Sequence, residues 1–189
     1  MHKIKLLAAA VLALSAAAAQ AVNVNNNITL DGDAESGFSA GLSDPSGTLV
    51  NHKVSGLFTD TFTFSFAGGA LVDVWLNTSA SATKLATQQI VFTSATLNGV
   101  ALQITNPYEL GGTVFRGAEL FEVPTSGTLQ LIVHGYAGLQ GSSGSTISAS
   151  YSGGLNLIPT AVPEPGTYAM LLAGLGVVGF VARRRQRKG

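Results

Sequence analysis

Nine residues, Phe58-Thr-Asp-Thr-Phe-Thr-Phe-Ser-Phe66, constrain the fold more than any other stretch of this chain. In an extended strand, successive side chains point to opposite faces. Phe58, Asp60, Phe62, Phe64 and Phe66 therefore share one face, and Thr59, Thr61, Thr63 and Ser65 share the other. Phenylalanines concentrated on one side demand a core to bury them, or else form an exposed aromatic ladder. Asp60 is carried along with them. A carboxylate buried without partners is costly, so Asp60 requires hydrogen bonds, a metal, or an ion pair with one of the few cations, Arg116 being a candidate. The ordinary arrangement places such a residue at the end of a sheet, where it caps the amides of a neighbouring loop.

From Val22 to about Thr160, no apolar pattern of 3.6-residue period reaches helical length. Short runs with period 2 or β-branched enrichment occur instead, at about 22–30, 47–55, 57–66, 70–77, 88–97, 100–105, 113–122, 128–137 and 146–158. Clusters of Gly, Pro, Asn and Ser separate them. Leu97-Asn98-Gly99-Val100 is the sharpest local signal, because Asn-Gly supplies the two positive-φ residues of a type I′ hairpin. Pro124-Thr-Ser-Gly127 predicts a second hairpin turn and Asn106-Pro107 a break. Gly138 to Ser145 reads as a flexible loop. The expected fold is all-β: a single antiparallel β-sandwich, jelly-roll-like, over residues 22–160. That length can bury one core without disulfides, which matters because the chain has no cysteine.

The two ends read as addresses. Lys3 and Lys5 precede an apolar run from Leu6 to Ala19. Ala19-Gln20-Ala21 then puts small residues at the two positions a signal peptidase reads, which predicts a signal peptide over 1–21, cut between Ala21 and Val22. At the other end (161–189), Pro163-Glu164-Pro165 leads into sixteen uncharged residues, Thr167 to Ala182. A basic cluster follows: Arg183, Arg184, Arg185, Arg187 and Lys188. As a helix the uncharged stretch reaches about 24 Å, short of a hydrocarbon core of about 30 Å. It reads as a short transmembrane helix that needs snorkelling arginines or local thinning. Both the lysines and the arginines favour the cytoplasm, so the residues between them belong across the inner membrane.

A rigid proline motif, a short apolar helix and a terminal arginine cluster, in that order, resemble the PEP-CTERM sorting signal of Gram-negative bacteria. The resemblance implies recognition by an exosortase, an integral membrane protein that cuts near the motif and passes the chain outward. Anchoring in the inner membrane would then be transient, as with other removable tails. Within the middle region, Phe58-Thr-Asp-Thr-Phe62 matches the pattern that names the FxDxF family of PEP-CTERM proteins, its motif residues being Phe58, Asp60 and Phe62. Gly144 to Leu157 looks like that family's last strand. The family resemblance brings no activity, but its members are grouped with bacteria that make exopolysaccharide. It implies a protein of the cell surface or biofilm matrix.

Chemistry is sparse. Between Asp31 and Glu122 lie nine acids against only Lys53, Lys84 and Arg116, so nucleic acid is an unsuitable partner. The cluster Asp31-Gly-Asp33-Ala-Glu35 fails the EF-hand register, with Ser36 at position six and Leu42 at position twelve, and reads as a solvated turn. Whether it or Asp60 binds a metal stays open at this level. His52 and His134 lack the spacing of a zinc pair. His134 alternates with Leu131 and Val133, so it belongs on the surface. No nucleophile elbow or phosphate loop occurs. The expectation is a non-enzymatic surface or matrix protein without cofactor. One alternative is a carbohydrate-binding module that stacks sugars on Trp75, Tyr108, Tyr136 or Tyr151, Trp75 reading as exposed or as ordinary core. The other is a hydrolase drawing on Glu109, Glu119 and Glu122, for which surface positions are the plainer explanation.

Overall fold

The structure, a computed structural model, describes residues 20–47, 49–160 and 165–186. The alternating segment forms strand β5 (Gly56–Phe64), with Phe58, Asp60, Phe62 and Phe64 buried and the threonines between them half-buried. It belongs to a five-stranded sheet, where β1 (Asn25–Ile28) flanks it on one side and β12 (Leu129–Ala137) on the other. Beyond β12 come β7 (Ile90–Leu97) and β8 (Val100–Ala101).

A second sheet runs β10 (Tyr108–Leu110), β11 (Thr113–Ser126), β6 (Gly69–Ser81), β13 (Thr146–Pro159), β3 (Gly37–Gly41) and β2 (Asp31–Asp33). Off this path, β4 (Val50–Val54) pairs with β13 and β9 (Gln103–Ile104) with β11. The last strand thus has two jobs. Residues from Thr146 to Tyr151 pair with β4, across a bulge, and those from Ser152 to Pro159 pair with β6. A short 3₁₀ turn and helix α1 (Leu85–Gln88) connect β6 to β7.

One core lies between the sheets. Phe62, Phe64, Leu131 and Val133 come from the first sheet, and Val72, Val74, Leu155 and Leu157 from the second; all are at most 1% exposed. Burying each such side chain stabilises the fold by about 1.5–3 kcal/mol. Phe58 needs a glycine opposite. A Cβ on Gly135, its register partner, would stand 2.6 Å from the Phe58 ring, so only glycine lets the ring lie across β12.

The all-β expectation with two sheets holds, with three corrections. First, pairing is not wholly antiparallel: β1 runs parallel to β5, because the chain leaves β1 for the other sheet before it forms β5. Second, the expected strand at 100–105 is split, β8 continuing the Asn98-Gly99 hairpin while β9 joins β11. The hairpin itself is as predicted, with φ of 47° and 83° at its two turn residues. Third, β11 does not end at Glu122 or turn at Pro124. It bulges between Leu120 and Val123, with Glu122 at φ 54° and its N–H donating to Asp73 Oδ1 at 2.7 Å, and continues to Ser126. The proline is tolerated because it lies past the stretch where β9 and β10 flank β11. Strands β2, β3 and β10 had no clear apolar alternation to announce them.

The C-terminal segment forms helix α2 (Pro165–Gln186). Among the described residues no helix is long and apolar enough to cross a membrane, so the transmembrane helix expected here is not found. The physical reason is visible in the segment, whose apolar stretch is short, interrupted by Gly174, Gly176 and Gly179, and closed by arginines.

Candidate functional site

Asp60 is fully buried, and three donors converge on it. Its Oδ1 accepts the Val24 N–H at 2.7 Å. Its Oδ2 accepts the Tyr151 hydroxyl at 2.6 Å and lies 3.0 Å from His52 Nε2. A carboxylate can only accept, so His52 must carry its proton on Nε2, which leaves Nδ1 buried with no partner among the described residues. The three side chains come from β5, β4 and β13, and they tie the first sheet to the second. Aromatic rings pack around them: His52 stacks on Phe58 at 4.2 Å, and Tyr151 meets Phe92 edge-on at 5.4 Å. Burial, then the Asp60 charge and hydrogen bond, push the Tyr151 hydroxyl well above its usual 10.0. Tyr151 is thereby held as a neutral donor.

Phe58 and Asp60 thus build an internal clasp with His52 and Tyr151, while Phe62 is buried in the core. Arg116, the expected ion-pair candidate, is on β11 opposite Thr78 and takes no part. Capping of a backbone amide is realised through Val24. His52 and Tyr151 went unrecognised as partners. The only signal for His52 was its alternation with Val50 and Val54, and for Tyr151 its alternation with Ile147 and Ala149.

The clasp also fixes the start of the fold. Ala21 is 4% exposed, and its N–H donates to Leu57 O at 3.1 Å. Thr59 N–H donates to Asn23 Oδ1 and Thr61 N–H to Val24 O. Val22 points outward, 72% exposed. Ala19 lies outside the described residues.

A second arrangement lies on the outer face of the second sheet. Trp75, half-buried, alternates outward with Leu71 and Asp73. With Tyr108 and Phe115 it lines a cleft of about 300 Å³ that also presents Asn77, Asn106, Arg116 and Glu119. Tyr108 stacks on Phe115 at 5.1 Å and 14°. An adjoining cleft of about 240 Å³ shares Asn77, Thr78 and Phe115 and adds Ser79, Ser150 and Ser152. The Trp75 ring lies over Gly154, where a Cβ would come within 2.7 Å of Trp75 Cζ2. Trp75 and Tyr108 therefore line one cleft, whereas Tyr136 is on the other sheet and Tyr151 is buried in the clasp. Phe115 was not anticipated.

The remaining residues do not converge. Of the three glutamates, Glu119 lines the cleft, Glu109 is on β10 and Glu122 in the bulge. His134 is exposed, 2.9 Å from Thr59 Oγ1. Asp33 closes its own turn, accepting from Ser36 N–H, Ser36 Oγ and Glu35 N–H, and these bonds, Ser36's first, hold its carboxyl below the usual range. Among the described residues no group of three or more His, Asp or Glu could hold a metal.

In the tail, Pro165 opens α2, where a missing N–H costs nothing. Arg183 and Arg184 are exposed and Arg185 lies in the same helix. Pro163, Glu164, Arg187 and Lys188 lie outside the described residues. A two-sheet β domain followed by a separate basic-ended helix defines a class, that of β-rich proteins carrying a C-terminal sorting tail. The tail is specific: residues 161–186 match the family model of the PEP-CTERM protein-sorting motif, and the chain is a PEP-CTERM domain-containing protein. The motif implies export, processing by an exosortase and transient membrane anchoring. No curated protein and no solved structure matches the chain.

Proposed function

We propose that this chain is a non-enzymatic surface or extracellular-matrix protein of the FxDxF group, freed from its tail by an exosortase and associated with exopolysaccharide. The matched sorting motif at 161–186 is the observation that carries this reading. An N-terminal signal peptide, removed by signal peptidase, starts the chain across the inner membrane. Residues of the tail then hold it at that membrane until the exosortase acts near Pro163-Glu164-Pro165. The motif carboxylate Asp60 is engaged inside the fold, which supports a structural role for Phe58, Asp60 and Phe62 and a protein that acts by its surface.

A specific observation favours direct contact with polysaccharide as a second reading. Trp75, Tyr108 and Phe115 gather in one cleft whose other groups are mainly amides and hydroxyls. Aromatic faces stack on sugar rings while such groups hydrogen-bond their hydroxyls. Low charge overall, 11% of residues, suits that contact.

The test of the main reading is to express the full chain and its Pro163→Ala/Pro165→Ala variant in an exosortase-bearing host, and to compare membrane with extracellular fractions. The expected result is released wild type and a variant retained in the membrane fraction. Equal release of both would sink the reading.

A further inference from the structure

We propose that an apolar cavity at the tail end of the β domain holds an acyl chain of a zwitterionic phospholipid while the chain is still anchored; the inference rests on the reading of the tail as a transient membrane anchor. The cavity, about 600 Å³, is of ligand size. Ile28, Leu30, Phe38 and Phe66 line it, packed against the core yet only half-buried. Phe38 and Phe66 meet edge-on at 5.6 Å. No charged residue is among the lining groups, so a phosphate or carboxylate finds no counter-charge there. A hydrocarbon chain gains by covering these side chains.

The cavity's place in the fold says where that hydrocarbon comes from. Ile28 ends β1, Phe66 follows the end of β5, Gly69 opens β6 and Pro159 closes β13, so the cavity lies at the end of the sandwich from which the tail departs. Thr160, also in the lining, is held to Gly69 O, and α2 starts at Pro165. The five steps from Thr160 to Pro165, at about 3.6 Å each, let these two points separate by no more than about 18 Å. With α2 at the bilayer, the cavity is tethered within that reach of the headgroup layer, and membrane lipid is the apolar material nearest to it. Asp31 and Glu35, both exposed and without an ion pair among the described residues, adjoin the lining residues Leu30 and Ala34. These carboxylates suit the ammonium of a zwitterionic headgroup and repel an anionic lipid. A lipid held in this way seats the domain on the bilayer and keeps Pro163-Glu164-Pro165 at the surface where an integral membrane enzyme cuts.

The experiment reconstitutes the full chain, without exosortase, in phosphatidylcholine vesicles doped with a phosphatidylcholine that carries a diazirine on its acyl chain. Photo-adducts are then mapped by mass spectrometry, with phosphatidylglycerol vesicles carrying a diazirine phosphatidylglycerol run beside them. Leu57, 60% exposed and at the opposite end of β5, reports labelling of any bare apolar side chain. The expected adducts fall on α2 and on the peptides of Leu30, Phe38 and Phe66, with Leu57 clear. Leu30→Asn should lower the cavity adducts about tenfold and leave those on α2 unchanged. Its thermal midpoint checks that it folds; if it does not, the wild-type map still decides. In phosphatidylglycerol the ratio of cavity to α2 adducts should fall about fivefold. Adducts on α2 without the cavity, or on Leu57 as strongly as on the cavity, overturn the inference and leave the anchor reading intact. So do cavity adducts that survive Leu30→Asn in a folded variant, or a ratio unchanged in phosphatidylglycerol. A chain unlabelled on α2 sinks the anchor reading, and this inference with it.

Discussion

Asp60→Asn tests the clasp by keeping its shape and removing its charge. The carboxylate only accepts, and all three groups around it donate: Val24 N–H, Tyr151 O–H and His52 Nε2–H. The asparagine oxygen can keep Val24, but its NH₂ then faces two former donors. The Tyr151 hydroxyl can rotate and accept. His52 cannot accept without moving its proton to Nδ1, a buried atom with no partner among the described residues. The variant therefore loses one charge-assisted hydrogen bond, about 1.5–3 kcal/mol, and leaves one buried donor unmet, about 1–3 kcal/mol. Some overlap between the two is inevitable in a coupled network, so a total loss of about 3 kcal/mol is the working figure. For a domain of this size that lowers Tm by roughly 6–12 °C. Urea unfolding of the purified protein, with the slope m compared between wild type and variant, measures it. A loss under about 0.5 kcal/mol, within surface-substitution range, would refute the convergence of donors on Asp60.

The remaining predictions use the same geometry. Because Tyr151 is held protonated when folded but ionises near 10.0 when unfolded, its contribution is intact below that pH and declines as pH rises above it. Unfolding measured between pH 9 and 11 should show this slope in wild type and a shallower one in Tyr151→Phe; identical slopes would count against the buried hydroxyl. Trp75→Ala should abolish retardation of the protein in gels containing a neutral polysaccharide, with Tyr136→Phe as the unaffected control. Retardation that survives Trp75→Ala places the contact elsewhere.

Much of this fold was legible because local signals agreed with the tertiary outcome. The phenylalanine alternation fixed the inward face of β5, and Asn98-Gly99 fixed a hairpin, since a positive φ at two successive residues leaves few alternatives. What was hidden depended on contacts distant in sequence. His52 and Tyr151 stand 8 and 91 residues from Asp60, and no pattern in either strand announces a polar partner. Pro124 misled for a comparable reason: proline ends a central strand but is tolerated where one flank is open, and only the sheet order reveals that. The aromatic cleft was half legible. Trp75 and Tyr108 were visible as residues, but their sharing one cleft depends on β10 folding back onto β11, which a three-residue strand of Tyr-Glu-Leu does not advertise.

The two ends of the domain explain why a removable tail is compatible with a stable body. At the start, Ala21 N–H donates to Leu57 O; at the finish, Thr160 N–H donates to Gly69 O, closing β13 against β6. Beyond that point the helix contributes no covered apolar surface at the positions where exposure is known. Met170, Leu171, Leu172, Leu175, Val177 and Val178 are each 60–76% exposed. Side chains that gain from burial and lie bare on a helix stabilise nothing in the β domain; their apolar area is free for a membrane or a membrane enzyme to cover. Placing the apolar sorting segment outside the hydrogen-bonded body means that cutting the tail removes an exposed liability and no core contact among those known.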